Sequence, residues 1–101
     1  MRSGDIRKMK KSVKVLRCMS HPLRLSLLCH LMDGKEHSAG EMVEREKKNA
    51  SQSQTSQYLG QLRRLGLVKT RREGQVIYYK LTSSALKKLL RLLYKLYCSG
   101  A

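Results

Sequence analysis

Residues 51–81 read SQSQTSQYLGQLRRLGLVKTRREGQVIYYKL, and this stretch decides the fold. Ser51-Gln52-Ser53-Gln54 puts a serine at a helix start and a glutamine three residues later, the pattern of a capping box. Tyr58, Leu59, Leu62 and Leu65 then recur at helical spacing and give that helix a buried stripe. Gly66 is placed to cap its C-terminus. From there the period changes. Residues 67–72 and 75–81 read as two strands joined by a tight turn at Glu73-Gly74, with Ile77, Tyr79 and Leu81 alternating against Val76, Tyr78 and Lys80.

Upstream, Ser38-Ala39-Gly40-Glu41 fits the same capping pattern and opens a short helix over 39–47. Ile6, Met9, Val13 and Leu16 place an amphipathic helix over 5–18. Ser20-His21-Pro22 starts a second helix, since proline is tolerated in the first turn, and Leu25, Leu28, Cys29 and Met32 mark one face of it up to Asp33-Gly34. Downstream, Ser83 or Ser84 opens a last helix whose apolar set is Leu86, Leu89, Leu90, Leu93, Leu96 and Tyr97. So wide a stripe exceeds what one small core needs, and its spare face most simply packs on the same helix of a second copy. The order helix, helix, helix-turn-helix, hairpin, helix predicts a mainly α winged helix-turn-helix that forms a homodimer. A single domain covers 1–101, with residues 1–4 and 99–101 expected to be flexible.

The chain has 101 residues, 22 Lys and Arg, 7 Asp and Glu, a formal charge of +15 and a pI near 10.3. A hydrophobic content of 41% argues against a disordered tail, and a charge of this size points to a polyanion, DNA being the commonest. The charge is uneven: from residue 47 onward Glu73 is the single acid against twelve Lys and Arg, while most acids fall within 33–46. No long apolar run marks a membrane span or a signal peptide, which predicts a cytoplasmic protein with no membrane partner. No Gly-rich phosphate loop, HExxH, GxSxG or plausible acid/base pair is present, so neither an enzyme nor a cofactor is expected. Cys18, Cys29 and Cys98 lie far apart without CxxC spacing, so a structural disulfide framework is not expected.

The helix from Ser51 begins with a run of uncharged hydrogen-bonding side chains. Glutamine can pair bidentately with adenine, and serine and threonine can serve base edges or phosphates. A major-groove helix brings its N-terminal residues to the bases. Gln52, Ser53, Ser56, Gln57 and Tyr58 are therefore expected toward the major groove. Arg71, Arg72 and Gln75 are expected at the wing, with Lys69, Arg63 and Arg64 nearby for phosphate contact or minor-groove insertion. An ordinary solvated helix face would be richer in Lys and Glu.

Three segments carry a family resemblance: Cys18-Met19-Ser20-His21-Pro22-Leu23-Arg24-Leu25, residues 51–59 with Leu62-Arg63-Arg64-Leu65-Gly66-Leu67-Val68, and Thr70-Arg71-Arg72-Glu73-Gly74-Gln75-Val76-Ile77-Tyr78-Tyr79. Over most of 12–98 the chain resembles the ArsR/SmtB family of dimeric bacterial repressors. It is most similar to the branch that senses sulfide, persulfide or oxidants through two cysteines. There, one cysteine lies in the helix after the Ser-His-Pro start, here Cys29. The other closes the last helix, here within Leu93-Tyr94-Lys95-Leu96-Tyr97-Cys98. The resemblance implies that Cys29 and Cys98 approach each other and form the switch, with reactive sulfur or oxygen species as inducer and operator DNA released on oxidation or persulfidation. Arg24 or Lys95 is a candidate to lower a thiol pKa.

The family's metal-sensing branches carry a cysteine motif where residues 40–44 stand here without cysteine. They use Asp and His in the last helix, and residues 83–98 have neither. His21, His30 and His37 lack zinc-like spacing, so no metal is expected. Two features depart from the family. Residues 44–50 are about two longer than its norm and very polar where it has a buried leucine and a glycine turn. Cys18 stands where alanine is usual, and reads as a small buried apolar residue. The alternatives to a thiol-switched repressor are a metal- or arsenite-responsive repressor, an anti-repressor of the same fold, and a non-specific basic nucleoid-type DNA binder.

Overall fold

The computed structural model describes residues 3–98, with side chains from Asp5 onward. The helices are α1 (Ser3–Met19), α2 (Pro22–His30), α3 (Ala39–Glu46), α4 (Gln52–Arg64) and α5 (Ser84–Tyr97). The strands are β1 (His37–Ser38), β2 (Val68–Glu73) and β3 (Val76–Leu81). Of the terminal residues expected to be flexible, 1–2 and 99–101 lie outside the described residues, whereas the backbone of 3–4 already belongs to α1.

α2 starts where His21 Nδ1 accepts the Leu23 amide at 3.2 Å, with Pro22 in the first turn where its missing N–H costs nothing. It ends at His30, earlier than the apolar spacing suggests. Leu31 caps it, and Gly34, at φ 78°, turns the chain. Ser38 caps α3 by accepting the Glu41 amide at 3.1 Å, but only half of the expected box forms, because the Glu41 carboxylate bonds the His37 ring. The box on α4 is complete: Gln54 donates its amide N–H to Ser51 Oγ at 3.1 Å and its side-chain oxygen accepts from Ser51 N–H at 2.9 Å. α4 ends as expected at Gly66, at φ 75°, where Leu67 N–H bonds Leu62 O and Gly66 N–H bonds Arg63 O, both at 3.0 Å.

β2 and β3 pair antiparallel from Val68↔Leu81 to Glu73↔Val76, which leaves Gly74-Gln75 as the two-residue turn. The turn is thus one residue later than the sequence reading. Gly74, at φ 62°, takes the first central position, as a II′-type hairpin demands. β1 was not anticipated. It pairs with β3 through His37↔Tyr79 and Ser38↔Tyr78, giving a three-stranded sheet in the order β1-β3-β2.

The core gathers Leu27, Leu28 and Leu31 from the α2 region, Met42 from α3, Leu59 and Leu62 from α4, and Leu86 and Leu90 from α5. Cys18 belongs to it as well, in keeping with the reading of that thiol as a small buried apolar residue. α1 and α5 are only partly used by this core. Ile6, Met9, Val13 and Leu16 along α1, and Leu92 and Leu96 on α5, are exposed in the single chain. Leu93, by contrast, is half-buried against its own core.

Candidate nucleic-acid interface and thiol cleft

α4 buries Thr55, Leu59 and Leu62 and turns Gln52, Ser53, Ser56 and Gln57 to solvent. These four positions fall at i, i+1, i+4 and i+5, so they share one helical face, and the intact cap fixes where that face begins. It presents amides and hydroxyls, which can both donate and accept. Gln54 is withdrawn from it by its capping bond. Tyr58 differs from the other four: it is half-buried, its ring lies 4.9 Å from the His21 ring, and its hydroxyl is 3.3 Å from His21 Nε2. Tyr58 thus braces the start of α2 from α4.

At the wing, Arg72 and Gln75 are exposed, and Arg72 donates to Gly74 O at 3.1 Å, which extends its stem along the turn. Arg71 is engaged. Its guanidinium donates to Glu36 at 2.8 Å and 2.9 Å and to Glu73 at 2.9 Å, and lies 4.7 Å from the centre of the Tyr78 ring. The bonds from Arg71 hold the Glu36 carboxyl below the usual carboxylate range. Arg63, Arg64 and Lys69 are exposed between the two structures.

Cys29, half-buried on α2, and Cys98, exposed at the cap of α5, line a single cleft of about 800 Å³ together with Ser26, His30 and Tyr94. Both thiols are free. Burial pushes the Cys29 thiol up from its ordinary value, and the neighbouring Cys98 adds to the shift. Arg24, named above as a cation for thiol activation, serves another purpose. It donates to Cys18 O at 2.9 Å and to Gln61 Oε1 at 3.0 Å, tying the end of α1 to α4. Its charge bears on Cys18, whose thiol burial nonetheless raises. Among the described residues, no group of three or more His, Cys, Asp or Glu side chains is placed to hold a metal ion.

No family model matches the chain. Curated relatives do. The transcriptional activator HlyU of Vibrio cholerae is 46% identical over 90 residues, spanning 89% of this chain and 81% of its own. The biofilm growth-associated repressor of Xylella fastidiosa is 38% identical over 100 residues, 98% of this chain and 85% of its own. The solved structure of reduced HlyU from Vibrio cholerae superposes with a TM-score of 0.86 at 41% identity, over 96% of this chain and 99% of that one. The chain belongs to the ArsR/SmtB family of winged-helix transcription regulators. Within that family it sits in the branch of HlyU and the biofilm growth-associated repressor.

Two features of this ArsR/SmtB chain escaped the sequence reading. Glu46, in the polar segment that departs from the family, is buried at 1% exposure. Its carboxylate accepts from the Ser26 hydroxyl and lies 2.8 Å from His30 Nε2. His37 is likewise held between carboxylates, Asp33 at 2.8 Å and Glu41. A signal for Glu46 was present, because it falls four residues after Met42 on the face of α3 that packs inward.

Proposed function

We propose that the protein is a homodimeric repressor that binds a palindromic operator when its thiols are reduced and releases it when Cys29 and Cys98 are oxidised or persulfidated. The observation that carries this reading is the shared cleft that both cysteines line, from helices far apart in sequence. One thiol takes the outer sulfur of an organic persulfide RSSH, releasing RSH and becoming Cys–S–SH. The other attacks its inner sulfur, releasing hydrosulfide and leaving a Cys29–Cys98 bridge. With a peroxide, the first thiol becomes a sulfenic acid and the second displaces water. Either bridge ties α2, which packs against the helix-turn-helix, to α5.

The uncovered apolar residues of α1 and α5 support the dimer, whose two reading helices would lie about one DNA turn, ~34 Å, apart. Gln52, Ser53, Ser56 and Gln57 are the base-reading set, joined by the rim of Tyr58. Arg72 and Gln75 serve the wing, and Arg71 joins them when phosphate competes with Glu36.

The test is operator and random-DNA binding before and after persulfide, peroxide and arsenite, with mass spectrometry of the cysteines. Cys29→Ser and Cys98→Ser are each expected to bind when reduced and to lose the response, while Cys18→Ser responds like the parent. Loss of the response in Cys18→Ser, or equal affinity for operator and random DNA, would overturn the reading.

A further inference from the structure

Glu46 is buried at the end of α3, its side chain 2% exposed, in a segment that the regulatory reading leaves without a task. Its Oε1 receives both Ser26 Oγ–H and His30 Nε2, and its Oε2 has no hydrogen-bond partner among the described residues. A carboxylate on Nε2 sets the tautomer: Nε2 carries the proton and Nδ1 the lone pair. Ser26, Cys29 and His30 lie at i, i+3 and i+4, on one face of α2, and all three line the cleft that Cys98 enters from α5.

A thiol attacks as thiolate, and the Cys29 thiol is held above its ordinary value by burial and by Cys98. A nucleophile reluctant to ionise, an imidazole on the same wall and a buried carboxylate behind that imidazole make up the arrangement of an assisted nucleophile.

We propose that His30, oriented by Glu46, accepts the proton of Cys29 as this thiol closes the bridge to Cys98. The proposal rests on the dithiol reading above. In the step, the Cys29 S–H bond breaks and its proton passes to His30 Nδ1, directly or through one water. The Cys29 sulfur bonds the inner sulfur of Cys98–S–SH, whose inner–outer S–S bond breaks. Hydrosulfide leaves with the electron pair and takes the proton from the imidazolium as H₂S, which returns His30 to its neutral form. The Glu46 carboxylate faces the ring on which the proton arrives and orients it, so Glu46 is a positioning residue.

The other charged or titratable groups around this wall are Arg45 on α3, Asp33 after α2, and Tyr94, Tyr97 and Cys98 from α5. Arg45 is paired with Glu41 at 3.1 Å and Asp33 with His37 at 2.8 Å, while Glu46 is in direct contact with the His30 ring at 2.8 Å.

The experiment follows bridge formation in the full chain, mixed with glutathione persulfide, by quenched-flow mass spectrometry from about pH 6.5 to about pH 9.5, in the range where histidine and thiols titrate. The parent is compared with His30→Gln, which keeps a donor for Glu46, and with Glu46→Gln. Reduced His30→Gln should bind operator as the parent does. Its bridging rate should fall about tenfold per pH unit below the thiol's own ionisation, lie roughly 10²-fold under the parent near pH 7, and converge with it at alkaline pH. Glu46→Gln should lie between the two. Superimposable profiles for parent and His30→Gln overturn the proposal while leaving the dithiol switch intact. A parent that forms no Cys29–Cys98 bridge overturns both. If His30→Gln does not fold, a Glu46→Gln profile identical to the parent's overturns the proposal alone.

Discussion

Replacing Glu46 with leucine is expected to stabilise the fold and slow its thiol chemistry together. Glu46 is 1% exposed as a residue, with Oε1 used twice and Oε2 without a partner among the described residues. Two hydrogen bonds to a charged group contribute about 1.5–3 kcal/mol each. Against them stand the desolvation of a buried carboxylate, several kcal/mol in effect, and an unsatisfied buried oxygen, roughly 1–3 kcal/mol. Leucine fills a similar volume without either penalty. Ser26 and His30 are only half-buried on the wall of an open cleft, so both turn to water when the carboxylate is gone. These polar terms nearly cancel, so burial of the leucine side chain, about 1.5–3 kcal/mol, decides the balance, and each kcal/mol moves the midpoint of a domain this size by roughly 4–8 °C. The assay is thermal and urea unfolding at one fixed protein concentration, since an oligomer's midpoint depends on it. A loss of more than about 1 kcal/mol at unchanged urea slope would refute the reasoning. It would mean that the Glu46–His30 contact holds α3 to α2 more strongly than burial of the charge opposes it.

Three further outcomes are expected. Gln57→Ala should weaken operator binding by about 1–3 kcal/mol and leave random DNA nearly unchanged, whereas Arg72→Ala should weaken both and lower the salt slope by about one; equal losses on both DNAs for Gln57→Ala would remove it from base reading. Leu92 is 52% exposed in the single chain, so Leu92→Glu should fold, yet give monomers by sedimentation because a dimer seam would bury the new charge; an intact dimer would locate the seam elsewhere. The Cys18 and Cys29 thiols are both raised above the ordinary cysteine range, chiefly by burial. The fold favours their neutral forms, so that stabilisation is full below about pH 9 and is lost as pH rises through the folded values. Cys18→Ala should therefore show a shallower alkaline loss in its urea midpoint than the parent, and an equal loss would contradict the assignment.

How far the sequence could be read depended on how local the cause was. The α4 cap, its glycine stop and the hairpin are written in adjacent residues, and all appear within a residue or two of where the pattern put them. Apolar spacing predicts α2 too long, because Met32 still packs against the core after the helix has ended. β1 has two residues, too few for any period, and exists because β3 offers it a free edge. Only the charge of Arg71 and its place on a strand are visible in the sequence, and both point to the wing's DNA-facing set. Its partner Glu36 is 35 residues away and comes into reach only through the sheet. Glu46 was legible as a departure but not as a buried group, since a charged residue is rarely fully buried unless paired, and its pairs come from α2.

Ser38 belongs to two structures at once. Its backbone is a rung of the sheet opposite Tyr78, and its side chain caps the first helix of the helix-turn-helix. The sheet that carries the wing and the helix-turn-helix therefore meet at one residue with no linker between them, and the Arg71–Glu36 contact fastens the same corner. A tilt of α3 must carry the hairpin with it, as a crank carries its handle. If the proposed operator contacts hold, a signal that displaces this one pivot would lift the hairpin and the helix-turn-helix in a single stroke, so release would come as an all-or-none event and not as a sequence of separate detachments.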